Sequence, residues 1–128
     1  MTNLVDIAKQ MTAAWENKDA DAMRSFLHED YHFKGPMIEL DGPDACIECM
    51  MSFPVQGRNK NCEVITQGST LVHIADWEVT SPFQATIPFV EIMEFENGKV
   101  KNVRMFLDTA QFPTEFVKQM EAMKAQAA

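Results

Sequence analysis

The hydrophobic period of this chain changes once, near residue 61, and no other feature constrains its fold as much. Before that point apolar residues recur every three or four positions. Leu4, Ile7, Ala8, Met11, Ala14 and Trp15 mark an amphipathic helix over residues 3–17. Asp19 is a good N-cap for a second, shorter helix with Met23, Phe26 and Leu27 on its apolar side. DYHFKG reads as a short strand ended by Gly35-Pro36. DGPDACIECMMSF opens a third helix, with Pro43 where a missing N–H does no harm. That helix stops before Pro54, and VQGRNKN reads as a polar loop. From there the period falls to two. Segments 62–68, 70–80, 84–96 and 99–108 alternate or run apolar, with Ser81-Pro82 and Asn97-Gly98 among the turn residues that divide them. PTEFVKQMEAMKAQAA reads as a closing helix. Helices first and a meander second spell one α+β domain over residues 1–128. Its expected form is a curved antiparallel sheet, with no parallel pair, carrying the N-terminal helices on its concave face.

Alternation assigns each strand an inner and an outer face. In 83–95 the odd positions Phe83, Ala85, Ile87, Phe89, Glu91, Met93 and Phe95 form the inner face, and Glu91 is its single charge. In 71–79 the matching set is Leu71, His73, Ala75, Trp77 and Val79. A short turn near residues 80–84 sets His73 opposite, or nearly opposite, Glu91. In the last strand the apolar set Val103, Met105 and Leu107 is expected to face in. Arg104 then faces out beside Asp76 or Thr86, and Asp108 caps the following turn. A two-residue Asn97-Gly98 turn reverses that phase, whereas a bulged turn through ENGK preserves it.

Composition narrows the function classes. A net charge of −8 argues against a nucleic-acid partner, whose phosphates call for a basic footprint. No apolar run approaches the span of a bilayer, so no membrane partner is expected. The opening MTNLVDIAKQ lacks a basic region followed by an apolar core, and three cysteines suit a reducing compartment, so the expected location is the cytoplasm. Cys46 and Cys49 form a C-x-x-C, but inside an apparent helix and outside any βαβ pattern, so they read as small buried residues. No second ligand pair stands at a spacing suited to zinc, and neither metal nor cofactor is expected. Ten methionines suit a forgiving core or a pocket that adapts to its ligand. His28 and His32, near a helix end and on the outer face, read as solvated, beside a helix-end charge cluster of Glu29 and Asp30.

The order of elements, with AAWENKDADAMRSFLHEDYHFKGPM, DGPDA and FENGKVKNVRMFLD, resembles the nuclear transport factor 2-like superfamily, and within it SnoaL-like domains. The resemblance spans nearly the whole chain. It implies a cone-like fold that holds a small molecule between sheet and helices, often in dimers. Function must come from the pocket residues. Ketosteroid isomerases of this superfamily use a tyrosine, an aspartate and a later acid, and those positions align with Met11, Gly35 and Glu91. The arginine and two aspartates of limonene epoxide hydrolases align with Ala75, Trp77 and Met105. The acid of SnoaL-type polyketide cyclases aligns again with Met105.

What remains as candidate chemistry is His73 with Glu91, with Asp108 as the alternative acid should the last strand take the opposite phase. Met11, Trp15, Tyr31, Phe33, Trp77, Met93 and Met105 are the candidate ligand-binding residues around them. A carboxylate beside an imidazole in an apolar cavity suits proton abstraction next to a carbonyl and return of the proton elsewhere. Three functions follow: an isomerase, cyclase or lyase using this pair; a non-catalytic binder of a hydrophobic metabolite; and, ranked lowest, a protein-interaction module. Val72, Ile74, Val90, Ile92 and Phe106 make the outer face apolar, and a homodimer through that face is expected.

Overall fold

The structure, a computed structural model, describes residues 3–127, with side chains as far as residue 122. The helices begin where short polar side chains satisfy free backbone N–H groups. Asn3 accepts from the Val5 N–H at 2.8 Å to start α1 (Leu4–Glu16), and Asp19 accepts from the Ala22 N–H at 3.1 Å to start α2 (Ala20–Ser25). α3 (Pro43–Ser52) ends under a lysine from the turn between α1 and α2. Lys18 Nζ donates to the Met50 and Phe53 carbonyls at 2.7 and 3.4 Å, placing positive charge where the helix dipole is negative.

Six strands form one sheet: β1 (Leu27–Lys34), β2 (Glu39–Asp41), β3 (Gln56–Gln67), β4 (Thr70–Ser81), β5 (Ala85–Glu96) and β6 (Lys99–Leu107), in the order β2-β1-β6-β5-β4-β3. The sheet is curved and unclosed, and the N-terminal helices cover its inner face. The four later strands are the expected antiparallel meander. β1, however, lies parallel to β6, which corrects the expectation of antiparallel pairing throughout. The residues of β1 alternate in the same way whichever direction their neighbour runs. Residues 55–61 are corrected too, because β3 already begins at Gln56. β3 is the sheet edge, so Gln56, Arg58 and Lys60 face water, and its ladder to β4 supplies what apolar burial does not. Arg58 and Lys60 meet Glu78 on β4 at 3.8 and 2.6 Å. The hydrogen bond from Lys60 holds the Glu78 carboxyl below its ordinary range.

The β5–β6 connection settles the phase of the last strand by an unexpected device. Asn97 and Gly98 take φ of 54° and 77°, so the turn has two residues, and Glu96 pairs with Lys99. Alone, that turn would put Met105 outside. But Phe95 pairs with Val100 while Glu94 pairs with Asn102, so Lys101 is an extra residue bulged out of the ladder. The bulge restores the phase. Met105 stands opposite Glu91, and Arg104 faces out between Ile92 and Lys34 rather than beside Asp76 or Thr86. Beyond β6 the Asp108 carboxylate accepts from the Ala110 N–H at 2.9 Å and starts a 3₁₀ turn over Thr109–Gln111. α4 (Thr114–Ala127) then lays Phe116 and Met120 against Val55, Val79, Ile87 and Phe112.

His28 and His32 are not merely solvated. β1 starts at Leu27, so His28, Glu29 and Asp30 are strand residues rather than a helix-end cluster. The Asp30 N–H donates to His28 Nδ1 at 2.9 Å, which leaves Nε2 to meet Glu96 at 2.9 Å. His32 lies between Glu39, at 3.2 Å, and Asp41, and ties β2 to β1. Among the described residues no helix is long and apolar enough to cross a membrane.

Candidate functional site

The site is a cavity of about 190 Å³ between the inner face of the sheet and the helices. Its position follows from the two-residue period. His73 on β4 and Glu91 on β5 are direct cross-strand partners, so both side chains leave the sheet on the inner side. His73 Nδ1 and Glu91 Oε1 are 3.3 Å apart, a long hydrogen bond of the kind that tightens when a ligand excludes solvent. The His73 side chain is 6% exposed and that of Glu91 18%. Phe89 holds the imidazole edge-on, with ring centres 5.5 Å apart.

Every candidate ligand-binding residue lines this cavity: Met11, Trp15, Tyr31, Phe33, Trp77, Met93 and Met105. Asp108 does not; it is exposed and occupied as the cap of the 3₁₀ turn. Arg104 is likewise exposed, on the other side of the sheet.

Several lining residues were not read from the sequence as part of the site. Cys46 and Cys49 lie three positions apart on α3 and both face the cavity, which is a sharper role than the small buried pair expected. Burial pushes both thiols up, Cys49 to about 11, so at neutral pH they stay protonated and unreactive. Burial also holds the Tyr31 phenol well above its ordinary value. At the mouth, Glu16 at the end of α1 accepts from the Asn59 N–H at 2.9 Å and ties the helix to β3. Gly57 matters there because a Cβ would stand 2.5 Å from the Glu78 carbonyl and 3.0 Å from the Trp77 indole nitrogen. A glycine in an edge strand is the signal that marks such close approach. Phe53 bridges the mouth, with ring centres 5.8 Å from Trp15 and 6.0 Å from Trp77.

No group of three or more metal-ligating side chains occurs among the described residues. The cavity is lined mostly by apolar side chains, with one polar group of His73, Glu91, Tyr31 and Cys46 and a second of Thr12 and Glu16 on α1 with Arg58 and Asn59 on β3.

Comparison with known proteins supports the same fold. An NTF2-like protein of unknown function from Burkholderia pseudomallei is 22% identical, with a TM-score of 0.76 over 94% of this chain and 98% of that one. An LEH-like epoxide hydrolase from M. tuberculosis is 13% identical, with a TM-score of 0.72 over 95% and 91%. A protein from Kribbella flavida proposed to be a ketosteroid isomerase is 14% identical, with a TM-score of 0.72 over 84% and 79%. No curated protein matches the sequence. The SnoaL-like domain model matches residues 8–103, most of the chain, and this protein belongs to the SnoaL-like domain family of the NTF2-like superfamily.

Proposed function

We propose that this domain binds a small hydrophobic molecule in its cavity and moves a proton on it, as a cofactor-independent isomerase, cyclase or lyase. One observation carries the proposal: a buried imidazole and a part-buried carboxylate face one another across β4 and β5, and both line a largely apolar chamber. In such a site the Glu91 carboxylate takes a proton from carbon beside a carbonyl, and the electron pair moves to the carbonyl oxygen. His73, hydrogen-bonded to Glu91, steadies the carboxylate and helps return the proton at another atom. The M. tuberculosis and Kribbella flavida proteins, an epoxide hydrolase and a proposed isomerase on the same fold, make small-molecule chemistry the natural class.

A second reading, a non-catalytic binder, is favoured by Met11, Gly35, Ala75, Trp77 and Met105, which stand where the resemblance aligns polar catalytic groups. A metabolite-library thermal-shift screen supplies the ligand, because binding only to the native state raises its stability. His73→Ala and Glu91→Gln are then each expected to abolish turnover while keeping affinity. Unchanged turnover in either variant overturns the proton-transfer mechanism, and absence of turnover in the wild type favours the binder.

The partner is a second copy of the chain, through the outer sheet face. Val72 and Ile92 form one row across β4 and β5, and Ile74, Val90 and Phe106 the next, with Ile65 extending the first row on β3. Ile65 is 58% exposed and Phe106 54%. Burying about 1,200–2,000 Å² in total is the scale a stable dimer requires. A monomer in sedimentation at high micromolar concentration would refute this. Three free thiols suit a cytoplasmic setting.

A further inference from the structure

The chamber carries polar groups at two places along one strand, and the proton-transfer pair uses only the inner one. His73 and Trp77 leave the same face of β4 four residues apart, about 13 Å along an extended strand. Around Trp77 stand Asn59, its direct partner on β3, and Thr12 and Glu16, which share one face of α1. Glu16 gives one carboxylate oxygen to the Asn59 N–H, leaving the other to a guest. Among the described residues the Trp77 indole N–H donates to no acceptor, and no buried side-chain nitrogen or oxygen lacks a partner, so this donor is accessible from the chamber. Gly57 keeps it open, because a Cβ there would stand 3.0 Å from the indole nitrogen.

Charge and shape narrow what can span the two places. Both cations at the mouth are engaged elsewhere. Lys18 Nζ donates to the Met50 and Phe53 carbonyls, and Arg58, between the inward-facing Gly57 and Asn59, meets Glu78 at 3.8 Å on the outer face. A carboxylate at the mouth would therefore meet Glu16 with neither cation turned toward it. A hydroxyl accepts from the indole N–H and donates to Glu16. Between the two places lie Ala75 and its partner Phe89, both apolar. A cavity of roughly 150 Å³ takes one benzene ring, so about 190 Å³ drawn out over this length makes a slender channel. Past Trp77 the channel meets an outer hollow of about 450 Å³, with Trp15, Glu16, Gly57, Arg58 and Trp77 bordering both, so the mouth end is the one that faces water.

Resting on the reading of this cavity as a small-molecule site, we infer that the ligand is a slender, uncharged chain with a polar group at each end. A carbonyl lies beside His73 and Glu91, and a hydroxyl lies among Trp77, Asn59 and Glu16; the class is that of ω-hydroxy ketones and aldehydes. A hydrogen bond of about 3 Å at each end takes up part of the length between the two places. The indole nitrogen leans past Trp77 toward Gly57 and returns some of it, so the two ligand oxygens stand about 10 Å apart. Saturated carbon advances about 1.3 Å per bond, which puts roughly seven carbons between them. The hydroxyl end anchors the chain, and the length between the ends decides which carbon reaches Glu91.

The experiment titrates the whole protein, by calorimetry, with α,ω-diols from butanediol to dodecanediol and with the 1-alkanol of each length. One hydroxyl of each diol stands in for the carbonyl, since both accept hydrogen bonds. The ratio of diol to alkanol affinity is expected to peak near heptanediol, about three- to ten-fold above its value at butanediol and at dodecanediol. A channel polar at one end only would make the diol the weaker binder at every length, because its second hydroxyl leaves water without finding a partner. Trp77→Phe, which keeps a ring and removes the N–H, should flatten the peak. No peak in the wild type, a peak that survives in Trp77→Phe, or tighter binding of heptanoate than of heptanediol would overturn the inference. The wild-type series stands even if the variant fails to fold. Alkanol binding without a peak leaves the hydrophobic-ligand reading intact, whereas a wild type that binds neither alkanols nor diols sinks both.

Discussion

The two ends of the inner face are packed by different side chains, and only one of them is left hollow. Near α4 the apolar residues are stiff aromatics. Phe112 and Phe116 stack with ring centres 5.2 Å apart, Phe83 meets both at 5.8 and 5.3 Å, and Met120 is 1% exposed beneath them. Edge-to-face and stacked rings fill space in a few defined arrangements, so this end is filled up to Phe112, which borders the cavity. Under α1 and α3 the buried residues include Ala8, Met11, Ala14, Met23, Cys46 and Met50, beside Ile7 and Ile47. Small residues and flexible thioethers follow no single jigsaw, and against Tyr31, His73 and Glu91 they leave room. One end anchors the fold; the other can adapt to a guest. Trp77 and Phe53 stand at the join, each touching rings of the aromatic end while lining the cavity.

The largest expected effect tests the anchor. Phe112→Ala removes a ring that touches Trp77, Phe83 and Phe116, and urea unfolding should show a loss of about 3–5 kcal/mol. A loss no larger than that of an ordinary surface substitution would show that the aromatic end does not hold α4 in place.

The next effect belongs to the hollow end and to alkaline pH. The Cys49 thiol is raised from 9.0 to about 11 in the folded state, mainly by burial and next by Cys46. Its folded value exceeds its unfolded one, so the contribution is fully present below pH 9 and is lost as pH rises through 11. The scale is about 3 kcal/mol. Cys46 and Tyr31 shift in the same direction and add to the slope. Stability measured from pH 8 to 11 should fall in the wild type and fall less in Cys49→Ala; parallel curves would remove the thiol from the explanation.

The smallest effect sharpens the contrast. Met105 is half-buried and already borders empty space, so Met105→Ala should cost about 1 kcal/mol, well under the cost at Phe112. The same substitution enlarges the chamber, and a two-ring ketone such as 2-acetylnaphthalene should gain affinity. A cost equal to that of Phe112→Ala would mean the two ends are packed alike.

Periodicity alone determined the helix near 3–17, a short second helix after Asp19 (though Leu27, read as part of it, opens β1), the four strands of the meander, and the inward placement of His73 and Glu91. Those properties depend on neighbours two, three or four positions apart, which the chain itself supplies. That His73 lies opposite, or nearly opposite, Glu91 was also legible from the short connection near residues 80–84, and the fold makes the pairing direct. Tertiary structure decided the rest. The strand at residues 56–61 carries polar side chains on an edge and is held by the β4 ladder, so its own pattern resembles a loop. The parallel partnership of β1 with β6 joins segments some seventy positions apart, and no local period encodes direction. Whether Met105 faced the cavity turned on one bulged residue, Lys101, sited in the strand rather than in the turn. Bringing Tyr31 and Cys46 to one cavity required α3 to settle on β1. A side chain's face is set by the chain around it; its partner across a cavity is set by how distant elements pack together.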